Sequence, residues 1–435
     1  MASGNRIRVT HAGALPRSPD LHKLVWAKGN GTPYDAAELE SKLNDELAAT
    51  IRRQVDIGID SINDGELSKT SFTQYCASRM AGYEVHPYDP SRDPEPLSIG
   101  ARDIKKFREY FANGHAKFVR LDPPKVTYAC TGPLSYVGQD ELNADLQRFK
   151  DALAGVDYGE AYVPANSPGT IEHWLRNQYY KTEEEFVEAI AETMRTEYKA
   201  IVDAGFRLQI DDPDMPDGWL MYPDMSIAEY RKYARLRAEA LNHALRGLPR
   251  EKIRLHVCWG SFHGPHSDDI PLKDIADIVF SIRASEYSIE ASNPAHEHEW
   301  AVFQSVGVPE DAALIPGVVG HCTDFIENPE LVAQRLTRYA HLVGRENVMA
   351  GTDCGMGPRV NDPKICWAKF EAMVEGARLA TKHLWAKGSS ASRAKPAVKK
   401  AAKKKAAKKA AAKKAPVRKV AKKAKAKKAK KKARR

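Results

Sequence analysis

The sequence predicts an α/β protein: a single (β/α)8 barrel over residues 1–386, followed by a disordered basic tail over residues 387–435. Three observations predict this. Eight short β-rich stretches alternate with helical patterns in a chain long enough for one large domain. Polar and metal-ligating residue types collect at the C-terminal ends of those stretches, where a barrel keeps its chemistry. From Lys387 onward the composition collapses to lysine and alanine.

The elements follow in order. "IRVTHAG" (7–13) is β-rich and ends in a Gly-Ala-Leu-Pro turn. Residues 35–58 then show helical spacing with charged faces. "IDSIND" (59–64) is the second strand. A long irregular excursion leads to "KVTYAC" (125–130), the expected third strand. Two helical stretches precede "FRLQID" (206–211), the fourth, and a helix over 227–245 precedes "IRLHVC" (253–258), the fifth. Residues 272–282 lead to "YSIEA" (287–291), the sixth, and "LIPGVVG" (314–320) is the seventh. A helix over 329–344 leads to "NVMAGT" (347–352), the eighth, and a last helix runs from Pro363 to Trp385. A doubly wound open sheet is the competing architecture, but no glycine-rich phosphate loop follows the first strand.

The net charge of +10 averages two unlike objects. Residues 387–435 hold 24 Lys and Arg and no Asp or Glu. Of 67 basic and 57 acidic residues, the body keeps 43 basic ones and is −14, while the tail is +24. The tail cannot bury enough apolar area to offset the entropy of ordering. Its chemistry suits non-specific contact with DNA or RNA phosphates, and with no aromatic residue it offers no stacking platform. No apolar run approaches the length of a membrane span, and the N-terminus lacks a secretory apolar core. Six cysteines in 435 residues are not a disulfide scaffold. A cytoplasmic protein with available thiolates is expected, with nucleoid association through the tail as an option.

The fifth strand carries the chemistry. In "IRLHVC", Arg254, His256 and Cys258 share one face and Ile253, Leu255 and Val257 the other. The apolar face suits the helix layer, so the His-x-Cys pair points into the barrel. Alone, such a pair is a weak signal and reads more simply as a core histidine and a buried cysteine than as half a metal site. Glu290 ends the sixth strand and Cys354 follows the eighth, and in a closed barrel these ring one mouth. One nitrogen, two thiolates and a carboxylate fill a tetrahedral zinc shell. Soft thiolates favour zinc over magnesium or calcium.

Together, "AGALPR", "NDGE", "QIDDP", "HVC", "SIEASNP" and "AGTDCG" resemble the catalytic barrel of cobalamin-independent methionine synthase, over roughly residues 6–380. The resemblance implies that His256, Cys258, Glu290 and Cys354 bind Zn2+. It implies that Glu66 and Asp211 hold the ammonium of the amino-acid substrate, that the Gly13–Ala14 turn meets its carboxylate, and that Asp217 contacts a folate. His321 is the candidate general acid, one position away from the family's histidine. The implied reaction is methyl transfer from a methyl-folate to homocysteine, giving methionine. The chain departs from the two-barrel members in having room for one barrel, in Ala14 where a serine is common, and in lacking a recognisable pterin-stacking tryptophan, for which Tyr136 and Trp219 are nearby candidates. Related single-barrel chemistries remain alternatives: an epoxyalkane:coenzyme M transferase-like reaction, or a methyl-corrinoid donor. A nucleic-acid-associated scaffold acting through the tail is the reading from a different class.

The remaining residues get plainer expectations. "HGPH" (263–266) and "HEHEW" (296–300) read first as solvated loop and helix-start histidines, then as substrate-shaping groups, and last as ligands of a second metal, since neither spacing matches a helical i, i+4 pair. His11 is either structural or substrate-facing. Cys76, Cys130, Cys322 and Cys366 read as packing residues, with Cys322 beside His321 left open as the exception, and Asp212 and Asp353 as supporting or capping groups.

Overall fold

The computed structural model describes residues 4–72, 74–93, 97–114, 121, 124–357, 359–360 and 362–386; the basic tail (387–435) lies outside the described residues. Eight parallel strands form one sheet: β1 Arg8–Val9, β2 Ser61–Asn63, β3 Glu160–Asn166, β4 Arg207–Asp211, β5 Ile253–Val257, β6 Glu286–Ile289, β7 Ala313–Val319 and β8 Met349–Thr352. Each pairs with its sequence neighbour, and β1 pairs with β8. A parallel bridge between Thr10 and Ser61, with Asp60 N–H donating to the Val9 carbonyl (2.9 Å), joins β1 to β2 and closes the barrel.

Helices cover the outside because each carries a stripe of apolar residues at helical spacing. Over Ala36–Ile57, Leu39, Leu43, Leu47 and Ile51 are buried; Asp35 caps the first turn and Gly58, at φ 101°, ends the last. Ile227–Ala244 starts on a Ser226–Glu229 capping box. Among the described residues no helix is long and apolar enough to cross a membrane.

One expected strand is corrected. Residues 125–130 do form a strand, but not in the barrel: Val126–Tyr136 lies antiparallel to Met80–Pro87 and parallel to Leu175–Asn177 in a separate three-stranded sheet. The third barrel strand is Glu160–Asn166, "EAYVPAN". Two alanines and Pro164 dilute its β signal, whereas the excursion strand holds alternating β-branched and aromatic residues. Burial on both sides, not intrinsic propensity, makes β3 a strand.

The barrel interior is polar at its floor. Arg254 is fully buried and donates to Glu286 (2.8 Å), Thr10 (3.1 Å) and Ser61 (3.0 Å), with its guanidinium 4.6 Å from the Tyr162 ring centre. His11 lies nearby, its Nε2 2.9 Å from Gln54 Oε1 and its carbonyl accepting from the Tyr162 hydroxyl (2.5 Å). Its role is structural.

Burial, opposed by the Gln54 bond, lowers the His11 pKa to about 4. An unfolded histidine titrates near 6.5, so the unfolded chain takes up the proton first and stability is lost as pH falls from about 6.5 to about 4. The penalty reaches about 3 kcal/mol at the lower end. We expect the stability difference between wild type and His11→Asn to shrink across this window, measured as denaturation midpoints. A difference that stays constant with pH would contradict the buried neutral imidazole.

Candidate active site and metal centre

The C-terminal ends of β5, β6, β7 and β8 bring the chemistry to one mouth. His256 on β5, Cys258 just after it and Cys354 after β8 form one group, with candidate ligand atoms within 4.8 Å of one another. The two sulfurs are 3.7 Å apart. His256 Nδ1 engages Ser288 Oγ (3.1 Å) on the adjacent strand, which aims Nε2 inward; that nitrogen is buried with no hydrogen-bond partner. Strand alternation positions this set, because β5 pairs in register with β6 and brings Ser288 opposite His256.

Two thiols this close do not ionise alike. Donation from Cys258, against the opposing effect of burial and helped by His256 and His321, holds Cys354 well below the usual thiol range. The same contact, with burial, pushes Cys258 well above it. The contact thus favours ionisation of Cys354 over Cys258, whereas a bound divalent cation would favour two thiolates. Two sulfurs, an inward-facing buried imidazole nitrogen and no competing donor fit a soft divalent ion.

Glu290, the fourth expected ligand, stands in an adjoining group with His321 and Asp353, again within 4.8 Å. Its Oε2 accepts from the Trp259 backbone N–H (2.7 Å) and its Oε1 from Asn293 (3.0 Å). Asp353 is saturated: it accepts from the Ala291 and Ser292 amides (both 2.9 Å) and the Ser292 hydroxyl (2.5 Å), so it shapes the turn after β6. That matches its expected supporting role. His321 Nε2 lies 2.8 Å from Ser261 Oγ and 3.4 Å from Cys322 Sγ, and its Nδ1 is buried without a hydrogen-bond partner.

The expected substrate residues flank this mouth. Gly13 adopts φ 59°, and a side chain there would stand 3.1 Å from Glu66 Oε1. Its carbonyl accepts from Asn63 (3.0 Å), which fixes the turn. The Ala14 carbonyl accepts from Gly357 N–H (2.8 Å), and a Cβ on Gly355 would be 2.7 Å from Ala14 N. The first-strand turn therefore packs directly on the loop that carries Cys354. Glu66 sits at φ 53°, buried, with Lys69 Nζ at 3.3 Å. Asp211 accepts from Gln209 (2.8 Å); burial, with the nearby charges of Glu66 and Cys354 and against His256, pushes its carboxyl up to about 7. Asp217 is buried against the loop after Cys258, where a Cβ on Gly260 would meet its Oδ2 at 2.9 Å. Burial first, then Asp214, Asp269 and Glu290, keep its carboxyl well above the usual range.

Neither aromatic candidate offers a free ring at this mouth. Tyr136 belongs to the side sheet and donates to Glu197 (2.7 Å). Trp219 donates to the Asp268 carbonyl (2.7 Å) and has the Arg102 guanidinium 3.4 Å from its ring centre.

The expectation of solvated loop histidines is overturned for His266 and His296. Asp269 Oδ2 lies 2.8 Å from both His266 Nδ1 and His296 Nε2, and His296 Nδ1 lies 3.0 Å from Glu299. The signal was present as His-x-x-Asp (266–269) and His-x-x-Glu (296–299), a spacing that closes a single turn. Arg359 was also missed; burial lowers its pKa, and the nearby Cys354, Cys322 and Cys258 oppose that.

Residues 164–379 match the sequence family described as the catalytic domain of cobalamin-independent synthase. A methionine synthase of Thermococcus kodakarensis is 25% identical over 359 residues, covering 81% of this chain and 87% of that protein. A methionine synthase of Sulfolobus acidocaldarius is 22% identical over 394 residues, covering 90% of this chain and 97% of that protein. The structure of a B12-independent methionine synthase from a Shewanella species shares the fold, with a TM-score of 0.63 at 20% identity over 87% of this chain and 99% of that one. With the barrel and the clustered site residues, these matches show that the chain belongs to the cobalamin-independent methionine synthase family of methyltransferases, in a single-barrel form.

Proposed function

We propose that the barrel transfers a methyl group from a methyl-folate to the thiol of homocysteine, with zinc held by His256, Cys258 and Cys354 and with Glu290 as an exchangeable fourth ligand. One observation carries the reading: a buried, unpartnered imidazole nitrogen faces two thiols 3.7 Å apart at the barrel mouth. When bound, zinc supplies the charge that deprotonates the substrate thiol while leaving its sulfur electron-rich. Glu290 suits exchange because its two oxygens already have other partners, the Trp259 amide and Asn293. Leaving the metal would not strand it unsatisfied.

The chain's other groups orient the reactants. The carboxylates of Glu66 and Asp211 face the same mouth as Cys354 and suit an ammonium. The turn at Gly13 and Ala14 suits the substrate carboxylate through backbone N–H groups. The departing donor nitrogen must gain a proton. His321 can supply it from Nδ1, since Nε2 is engaged by Ser261. Asp217, whose carboxyl is pushed well above the usual range by burial, suits contact with a pterin ring.

The test is direct. Purified full-length protein should contain about one zinc per chain and form methionine from homocysteine with a methyl-tetrahydropteroylglutamate. Active zinc-free protein would refute the metal assignment. Turnover only with methylcobalamin, or only of coenzyme M with an epoxide, would replace the donor or acceptor with the corresponding alternative.

For residues 387–435 we infer non-specific contact with nucleic-acid phosphates, supported by 24 basic residues with no acidic ones. Removing them is expected to leave methyl transfer unchanged and to abolish salt-sensitive retention on DNA. Equal retention of the truncated protein would place any DNA affinity in the barrel, whose charge of −14 gives no reason for it.

A further inference from the structure

Behind the mouth lies a charge network that the reaction above does not use. His266 Nε2 is 3.0 Å from the Phe262 carbonyl and its Nδ1 is 2.8 Å from Asp269 Oδ2. The same oxygen is 2.8 Å from His296 Nε2, and His296 Nδ1 is 3.0 Å from Glu299 Oε2. Glu299 Oε1 accepts from the Leu272 amide (2.6 Å). Every ring nitrogen of both histidines thus faces an acceptor. With both carboxylates ionised, this geometry has both imidazoles donate twice, as imidazolium ions. Two carboxylates balance two cations, and the network is buried: His296 is 3% exposed and Glu299 7%.

The network reaches the loop after Cys258 through two ring stacks, Phe262 on His266 (4.1 Å) and, next to Cys258 itself, Trp259 on His296. The His296 ring stacks on the Trp259 indole, with ring centres 4.0 Å apart and planes 26° from parallel. A cation on an indole face is attractive. Trp259 is fully buried, and its Nε1 donates to the Ile270 carbonyl (2.7 Å), so both its face and its edge are fixed. Its backbone amide is the group that donates to Glu290, and it directly follows Cys258. No side-chain change at 259 can replace that amide. Its aim depends on whatever clamps the indole.

We propose that His296, held as an imidazolium by Asp269 and Glu299, is a positioning residue: it clamps Trp259 and thereby fixes both the Trp259 amide that holds Glu290 and the seat of Cys258. This rests on the zinc reading above. Groups that orient ligands commonly alter metal affinity by roughly 10–100-fold when changed. His296 acts one contact further out, so the lower end of that range is expected.

The experiment measures zinc affinity of the full chain by competition with a chromophoric chelator, together with melting temperature and kcat against KM. His296→Gln removes the cation and the stack. Glu299→Gln is gentler, since its amide oxygen still accepts from Leu272 while the charge that holds the imidazolium is gone. We expect His296→Gln to weaken zinc retention about tenfold and Glu299→Gln severalfold. kcat should fall and the KM for homocysteine should change little, since Glu66 and Asp211 are untouched. A stacked imidazolium quenches indole emission, so both variants should also brighten tryptophan fluorescence. Wild-type zinc affinity in either folded variant overturns the proposal, as does zinc loss that merely tracks a fall in melting temperature. Absence of zinc from the wild type would instead refute the metal reading.

Discussion

Replacing Cys354 or Cys258 by serine should remove bound zinc and lower methyl transfer by more than 100-fold, beyond the loss usual for groups that merely orient a metal ligand. The reason is the donor set. The candidate atoms of His256, Cys258 and Cys354 lie within 4.8 Å of one another, so losing one sulfur would leave two of the three proposed donors, with Glu290 in the adjoining group. A serine hydroxyl is a poor substitute, because it does not ionise near neutral pH and is not a soft ligand. The fold should barely notice, because serine is close to isosteric with cysteine. Cys322→Ser is the control. Its sulfur lies beside His321 and outside the three-residue group, so zinc should stay near one per chain. Metal analysis and melting temperature on the same preparations decide the matter. Full zinc content in Cys354→Ser or Cys258→Ser would sink the ligand assignment.

Much of this was legible in the sequence because strand alternation is rigid. Placing Arg254, His256 and Cys258 on one face follows from a two-residue period, and all three are buried within the barrel or at its mouth. The ring of strand ends then brings Cys354 to Cys258 across 96 positions of sequence. The convergence of Glu290 was harder to read, since its exact seat depends on the Trp259 amide and on Asn293, and a backbone donor leaves no trace in residue types. The third strand was misplaced because "EAYVPAN" becomes a strand through burial on both faces, which propensity does not register. The His266–Asp269–His296–Glu299 network was misread for a similar reason. Polar residues in loops are ordinarily solvated, and only tertiary packing put these four charges behind Trp259.

The second large effect lies beneath the proposed metal centre. Arg254 precedes His256 by two residues on the same inner face and is wholly buried, as is Glu286, to which it donates at 2.8 Å. Arg254→Leu should cost about 3–5 kcal/mol, because it leaves a buried carboxylate short of its main partner and strips the Thr10 and Ser61 hydroxyls of a donor. Glu286 retains only longer contacts to Arg207 and Arg8, both at 3.5 Å. The double variant Arg254→Leu/Glu286→Leu should recover part of that loss, since Arg207 keeps Glu160 at 2.8 Å. Denaturant midpoints of the two variants, with and without saturating zinc, separate floor from site. If the proposed zinc favours the folded chain, an intact site adds the same increment to each midpoint free energy. If Arg254 serves the barrel alone, stability falls and the zinc increment survives. If the increment vanishes with Arg254 while the chain remains folded, the polar floor is also what holds His256 in place, and the two layers of the barrel act as one unit.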